Sequence, residues 1–327
     1  MKRRNILLST IASAAALATA IGASPAFAQT AAWPSKPVRL VVPFPAGTSP
    51  DTTARLVGDK LSQMWGQPVL VDNRAGAAGG IGAENVKQSP ADGHTVLFTV
   101  SSVITINPHV YATLRYNPLT DFTGVATVAI IPYVLIATPA APFNNLAELA
   151  QAAKQKPGGI DYASYGVGSQ TQVAVEMWSK QMGIKLNHVP YATNPSADLM
   201  GGTVSLLFDP ATTAIPLIKG NKVKAIAVSS EQRLAALPNV PTASEFIPGA
   251  VSTAWHGMFV PKGTPPAVIA KVNADVLKVL VMPDVRSRIT DLGLLVGTGS
   301  AEDLNSRVMA EHASWGREIR NLNIKLQ

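Results

Sequence analysis

The chain has 327 residues, 47% of them hydrophobic and 14% charged, with 25 Gly, 25 Pro and no Cys. That composition excludes a disordered chain, a coiled coil and a disulfide scaffold, and the length leaves room for two lobes with separate cores. Of the net charge of +7, Lys2, Arg3 and Arg4 supply three units. No later Lys/Arg cluster concentrates the remaining +4, which argues against a nucleic-acid partner.

Those three residues form a basic n-region, residues 6–21 are an apolar run, and Ala26-Phe27-Ala28 is an A-x-A site. The pattern predicts a signal peptide over residues 1–28, cleaved after Ala28. No Cys follows to carry a lipid, so the mature chain is expected free in a bacterial periplasm, where the lack of thiols makes the oxidising setting immaterial.

In chain order, the β-branched run at 38–42 predicts a first strand, ended by Pro43 and Pro45. The loop at 45–51 then leads into a helix in which Ala54, Val57, Leu61, Met64 and Trp65 recur at helical spacing until Gly66. A strand at 68–71, a Gly-rich connection at 76–82 into a short helix, a turn at Asp92-Gly93 and a strand at 95–100 follow. Next come a helix at 147–154, a strand at 160–164, a helix at 172–182, a strand at 204–208, a helix at 213–219 and a strand at 223–228. A helix at 267–280, a shorter one after Pro283-Asp284 and an amphipathic stretch at 301–322 complete the chain. Strands alternating with helices of this length predict an α/β fold with parallel sheets.

Ligands of open α/β sheets sit at the carboxyl ends of strands. The loops at 45–51, 165–171 and 208–213 are rich in Gly, Ser and Thr, so the backbone can be approached closely and each following helix offers free N–H groups to an anion. The same residue types also serve as turns and N-caps, and spacing alone does not decide between the two roles.

Signatures of catalysis are missing. There is no G-x-S-x-G, no G-x-x-x-x-G-K-[ST] and no H-E-x-x-H, and Gly76–Gly82 lacks the register of a dinucleotide loop, so it is read as a tight turn into a helix. His94, His109, His188, His256 and His312 never pair at i, i+3 or i, i+4 and no Cys completes a set, so no metal or other cofactor is expected and the histidines read as partly buried hydrogen-bonding residues. The acids Asp51, Asp72, Asp92 and Asp209 fall at strand ends or turns, where capping accounts for them. Nothing points to an enzyme.

The stretch Trp33-Pro34-Ser35-Lys36-Pro37-Val38-Arg39-Leu40-Val41-Val42-Pro43-Phe44-Pro45-Ala46-Gly47 resembles the start of a Bug-type extracytoplasmic solute receptor, the binding component of tripartite tricarboxylate transporters. The resemblance continues in order through Asp72-Asn73-Arg74, Gly79-Gly80-Ile81-Gly82-Ala83-Glu84, Asp92-Gly93-His94-Thr95, Ile106-Asn107-Pro108, Val189-Pro190-Tyr191, Phe208-Asp209, Ala236-Leu237-Pro238-Asn239-Val240-Pro241-Thr242 and Pro261-Lys262-Gly263-Thr264-Pro265. It implies a two-lobed, periplasmic-binding-protein-like α/β fold with a hinged interlobe ligand cleft, the first lobe combining residues 29–131 with 253–327 and the second spanning 132–252. It also implies a monomer that hands a small organic carboxylate to membrane permease subunits, or presents it to a membrane kinase; a periplasmic carboxylate-ester hydrolase is the remaining alternative.

By position, the resemblance places ligand contacts at Gly47, Thr48, Ser49 and Asp51 of the first lobe, at Gly168, Ser169, Gln170 and Thr171 of the second, and at Asp209 on a third loop. Asp51 is read as fixing its loop, since an ionised acid repels a carboxylate, whereas Thr48 and Ser49 can donate to one. Ser101 and Ser102 are further donors. Departures from the family pattern, at Gly47-Thr48, Val103-Ile104, Thr171-Gln172 and Ala192-Thr193-Asn194, trade polar or charged groups for neutral or apolar ones. With Val103 in the wall, the pocket favours an aromatic carboxylate such as terephthalate over citrate-like or aliphatic dicarboxylates; with Val103 and Ile104 in the core, that preference has less support.

Overall fold

The structure, a computed structural model, describes residues 33–191 and 193–322; the signal peptide read at residues 1–28 lies outside them. Residues before Lys36 belong to a separate unit, of which Trp33–Ser35 are described, with a cis Trp33–Pro34 peptide. Within Lys36–Gln327 the elements run β1 (Val38–Val42), α1 (Ser49–Trp65), β2 (Val69–Asn73), α2 (Gly80–Lys87), β3 (Thr95–Val100), α3 (Ser101–Thr105), α4 (Asn107–Val110), α5 (Pro118–Asp121), β4 (Phe122–Ile131), β5 (Tyr133–Ala137), α6 (Leu146–Gln155) and β6 (Asp161–Ser164). They continue with α7 (Gln170–Met182), β7 (Asn187–Pro190), α8 (Ser196–Gly201), β8 (Leu206–Pro210), α9 (Ala211–Lys219), β9 (Lys224–Val228), β10 (Ala254–Pro261), α10 (Pro266–Leu280), α11 (Pro283–Asp291), β11 (Leu295–Val296) and α12 (Ala301–Asn321).

The helices start and stop where local chemistry permits. Pro50 and Asp51 occupy the first turn of α1, and Gly66 ends it in the left-handed conformation that an L side chain adopts only with strain. Asn145 caps α6 by accepting the Glu148 N–H, and Ser300 and Asp303 form a capping box on α12.

Two sheets result. The first has the order β11-β4-β10-β3-β1-β2 and the second β7-β6-β8-β5-β9. Strands β1, β2 and β3 pair in parallel, as do β6, β7 and β8. The sheets are mixed, however, not wholly parallel as the alternation predicts: β10 runs antiparallel to β3 and β4, and β5 antiparallel to β8 and β9. The cause is connectivity. Pro132 alone separates β4 in one sheet from β5 in the other, and β10 returns from the second sheet to insert between β3 and β4, so the antiparallel strands are those that enter a sheet from the other one.

The chain passes between the sheets at Ile131–Tyr133 and back at Ser252–Ala254, and the two crossings are tied together. Ile131 pairs with Ala254, Tyr133 N donates to Ser229 Oγ at 2.8 Å, and Ser252 N donates to the Ser229 carbonyl at 3.0 Å. One apolar core, including Val41, Leu97, Trp255, Phe259 and Leu304, lies against the first sheet, and another, including Val134, Ile136, Leu207 and Ala214, against the second. A smaller cluster of Ile106, Val110, Val173 and Ile319 joins α4 and α12 to α7.

Gly297 shows how closely the first sheet is sealed at its edge. Its N–H donates to the Val128 carbonyl at 2.9 Å, and a Cβ there falls 2.2 Å from the Thr127 carbonyl oxygen. Backbone cannot yield as a flexible side chain does, so Gly297→Ala is expected to cost about 1–3 kcal/mol of stability, read by thermal or urea denaturation; an unchanged midpoint contradicts this.

Candidate functional site

A cavity of about 550 Å³ lies between the carboxyl-end loops of the two sheets. From the first sheet it takes Phe44, Ser49, Pro50, Ala78, Val100, Ser102, Ile106, Asn107, Ile131, Ala254 and His256; from the second, Tyr133, Tyr165, Val167, Gly168, Ser169, Gln170, Thr171, Thr212 and Thr213. No Lys, Arg, Asp or Glu is among the described residues that line it.

On the first-sheet side, the loop after β1 is held by hydrogen bonds of its own. Thr48 Oγ1 donates to the Pro45 carbonyl at 2.7 Å, and Gly47 N donates to Asp51 Oδ2 at 2.8 Å. Asp51, itself buried, also accepts from Arg55 Nε at 3.1 Å and Asn73 Nδ2 at 2.9 Å, and Asn73 reaches on to the Phe44 carbonyl. Burial by itself raises the Asp51 pKa, but the bonds from Arg55, Gly47 and Asn73 together bring it below the usual carboxylate value. Gly47, Thr48 and Asp51 thus shape the loop and do not line the cavity; Ser49 does, and its hydroxyl is buried without a partner.

Asp51→Ala is therefore expected to leave several donors unsatisfied and to cost about 1–3 kcal/mol at neutral pH. The sign with pH follows from the lowered pKa. The stabilisation is present above the unfolded value near 3.8 and is lost as pH falls through the folded one, so urea melts of wild type and variant should converge toward pH 3. A gap that persists undiminished at low pH contradicts this role.

After β3, Ser102 reaches the cavity while Ser101 is buried behind it, its carbonyl accepting from Thr105 Oγ1 at 3.1 Å. Val103 and Ile104 are both in the core: the Val103 carbonyl accepts from Tyr116 at 2.6 Å, and a Cβ on Gly79 comes within 2.7 Å of its side chain. The apolar wall comes instead from Phe44, Val100, Ile106, Ile131 and Val167. Between Gly76 and Gly79, Ala77 and Ala78 stand at positive φ of 48° and 50°, a strained backbone that the Asn107 Nδ2 bond to the Ala78 carbonyl at 2.9 Å helps to hold against the cavity.

On the second-sheet side, the loop at 165–171 is wound on itself. Gly166 and Gly168 take positive φ, Ser169 Oγ lies 2.7 Å from the Gly166 carbonyl and 3.0 Å from Thr171 Oγ1, Thr171 Oγ1 accepts the Tyr165 N–H, and Gly168 N donates to Gln172 Oε1 at 2.8 Å. Ser169 caps α7 by accepting the Gln172 N–H. Gly168, Ser169, Gln170 and Thr171 all line the cavity, which therefore meets the start of α7, where the first amides have no acceptor within the helix. Gln170 Nε2 is buried without a partner.

Asp209, at the end of β8, stands behind the wall. It is fully buried and accepts from Tyr165 Oη and Thr213 Oγ1, both at 2.6 Å. Burial raises its pKa, while Thr213 and Tyr165 pull it back. Burial also pushes the Tyr165 and Tyr133 hydroxyls up, with the Asp209 charge adding to both. Asp209 acts by fixing Tyr165 and Thr213, which do line the cavity.

Several lining residues escape sequence reasoning. Asn107 and Asn194 lie in segments whose spelling is informative without revealing which residue turns inward. His256 is read there as hydrogen-bonded, as His109 and His188 are in the structure, on the His312 carbonyl at 2.8 Å and Ser164 Oγ at 2.6 Å. His256 differs: it is 0% exposed and neither ring nitrogen has a partner.

The arrangement can bind and orient a small solute. No group of three His, Cys, Asp or Glu side chains among the described residues is placed to hold a metal ion.

Residues 53–324 match the family described as "Tripartite tricarboxylate transporter family receptor". A protein of Pseudomonas sp. (strain P51), from the tcbD-tcbE intergenic region, is 36% identical over 88% of this chain and 87% of its own, and the protein BugT of Bordetella pertussis is 31% identical over 95% and 96%. Among solved structures, R. palustris Rpa4515 with adipate is 32% identical with a TM-score of 0.78, covering 90% of this chain and all of that one; the periplasmic binding protein BugD is 33% identical with a TM-score of 0.74 over the same shares. MatC from Rhodopseudomonas palustris with bound malate is 32% identical with a TM-score of 0.73, covering 88% and 100%. The matched family is one of receptors, the solved neighbours are described as a periplasmic binding protein or by the ligand they hold, and the chain belongs to the tripartite tricarboxylate transporter receptor family.

Proposed function

We propose that this protein is a periplasmic receptor that traps a small organic carboxylate between its two sheets and delivers it to the membrane permease of a tripartite transporter. The observation that carries the reading is the cavity wall: Ser49 on one side and Gln170 with the start of α7 on the other, each with a buried polar atom that lacks a partner, line one cavity whose described lining holds no charged side chain. Amides at a helix start and neutral hydroxyls hold a carboxylate by charge-assisted hydrogen bonds without a cation. The adipate and malate bound by two structural neighbours support the same ligand class.

Export by cleavage after Ala28 and action as a monomer belong to this reading. So do a hinge at the paired crossings near residues 131–132 and 252–253 and lobes as predicted on either side, because only a ligand touching both lobes favours their closed arrangement. The apolar remainder of the wall suits a ligand with a hydrophobic body, which places aromatic carboxylates, terephthalate among them, ahead of citrate-like and aliphatic dicarboxylates. The test is a thermal-shift screen of the mature protein against aliphatic and aromatic mono-, di- and tricarboxylates. Stabilisation by carboxylates with no turnover supports the proposal; stabilisation by amino acids or sugars alone defeats it.

A further inference from the structure

His256 is buried on β10, between β3 and β4, opposite Val100 and Ala129. Its neighbour Trp255 turns to the other face, where its indole N–H lies 3.0 Å from both oxygens of Glu311 on α12. Alternation along the strand therefore puts His256 on the opposite face, and His256 is among the residues that line the cavity. Both of its ring nitrogens lack partners, a costly condition for a buried polar group. Burial pushes its pKa down to about 3, so at physiological pH the ring is neutral, with one N–H donor and one acceptor nitrogen.

We infer that His256 sets ligand specificity by accepting a hydrogen bond from an uncharged hydroxyl or amide group at the far end of the carboxylate ligand. An ionised second carboxylate can accept only the single ring N–H there and meets no counter-charge, since no Lys or Arg is among the described lining residues, so its desolvation costs more than that of a neutral hydroxyl or amide. In the first sheet β10 lies two strands from β1, whose loop carries Ser49, a separation of about 10 Å. A benzene ring with para substituents and a hydrogen bond at either end bridges such a distance. The inference rests on the carboxylate reading above and narrows it, making terephthalate a weaker member of its series than its hydroxy or carboxamide counterparts.

The experiment is isothermal titration of the full mature protein with benzoate, 4-hydroxybenzoate, 4-carbamoylbenzoate and terephthalate, and with adipate and malate as aliphatic acids. The hydroxy and carbamoyl acids are expected to bind at least tenfold tighter than benzoate and terephthalate, and His256→Phe to reduce that ratio to about one. A ratio that survives in His256→Phe, or tightest binding by terephthalate or by aliphatic acids, overturns the assignment and leaves the carboxylate reading intact. Binding by no carboxylate at all overturns both. Because His256→Phe can fail to fold, ring ¹⁵N shifts of labelled wild-type protein provide a second readout: the His256 nitrogen signals are expected to move with 4-hydroxybenzoate and not with benzoate, and static signals overturn the assignment.

Discussion

Ser169→Asp is expected to leave the fold standing and to abolish carboxylate capture. Aspartate is as good an N-cap as serine, so the Gln172 N–H keeps an acceptor and α7 still starts at Gln170, with only the hydroxyl's donation to the Gly166 carbonyl lost. Its charge, however, lies at a cavity wall that contains no cation. Two like charges about 4 Å apart repel by about 4 kcal/mol at the effective dielectric of such a site, a loss of about 10²–10³-fold in affinity. Ser169→Ala separates the effects, since it loses the cap, worth about 1 kcal/mol, and adds no charge. Titration calorimetry alongside apo melting curves checks both variants. Carboxylate binding by Ser169→Asp within tenfold of wild type contradicts the location of the anion at the start of α7.

The second large effect is on stability and resides in Glu311. This half-buried acid is raised from 4.5 to about 7 by desolvation of its carboxylate, against the opposing influence of the Trp255 indole, Arg307 and Thr105. A raised folded pKa means that the native state holds the proton more tightly. The benefit is complete below the unfolded value and is lost as pH rises through about 7, amounting to about 3 kcal/mol across the window. Glu311→Gln keeps an acceptor for Trp255 and removes the titration. Relative to wild type, the variant is expected to gain up to about that amount between pH 5 and pH 8 in urea melts. The comparison is differential because His256, with its pKa depressed by burial, destabilises both proteins as pH falls below its unfolded value, and that contribution cancels. A wild-type-to-variant difference that stays flat across the window contradicts the burial argument.

Much of this molecule is legible in its spelling because local rules act locally. The run at 38–42, the turn residues after it and the periodic Ala54, Val57 and Leu61 specify β1, its loop and α1 within a residue or two, and the loops at 165–171 and 208–213 fall at strand ends where the cavity opens. What escapes is set by long-range pairing. β4, β5 and β10 are nearly continuous apolar runs whose sheet and direction depend on partners from about seventy to more than a hundred residues away. For the same reason Ser49 and Thr48, adjacent and chemically alike, part company: the Thr48 hydroxyl turns back to Pro45, whereas Ser49 lines the cavity. Val103 is the reverse case, since only the approach of Gly79 and Tyr116 reveals that it belongs to the core. His256 is invisible in sequence because an unpaired imidazole is spelled no differently from a paired one.

The most direct measurement is a crystal structure of the mature protein with the carboxylate that stabilises it most. The expected result is a carboxylate between the sheets, its oxygens within hydrogen-bonding distance of the Ser49 hydroxyl and the first amides of α7, with no lysine or arginine in contact. A ligand lying elsewhere, or one gripped by a cationic side chain, contradicts the account.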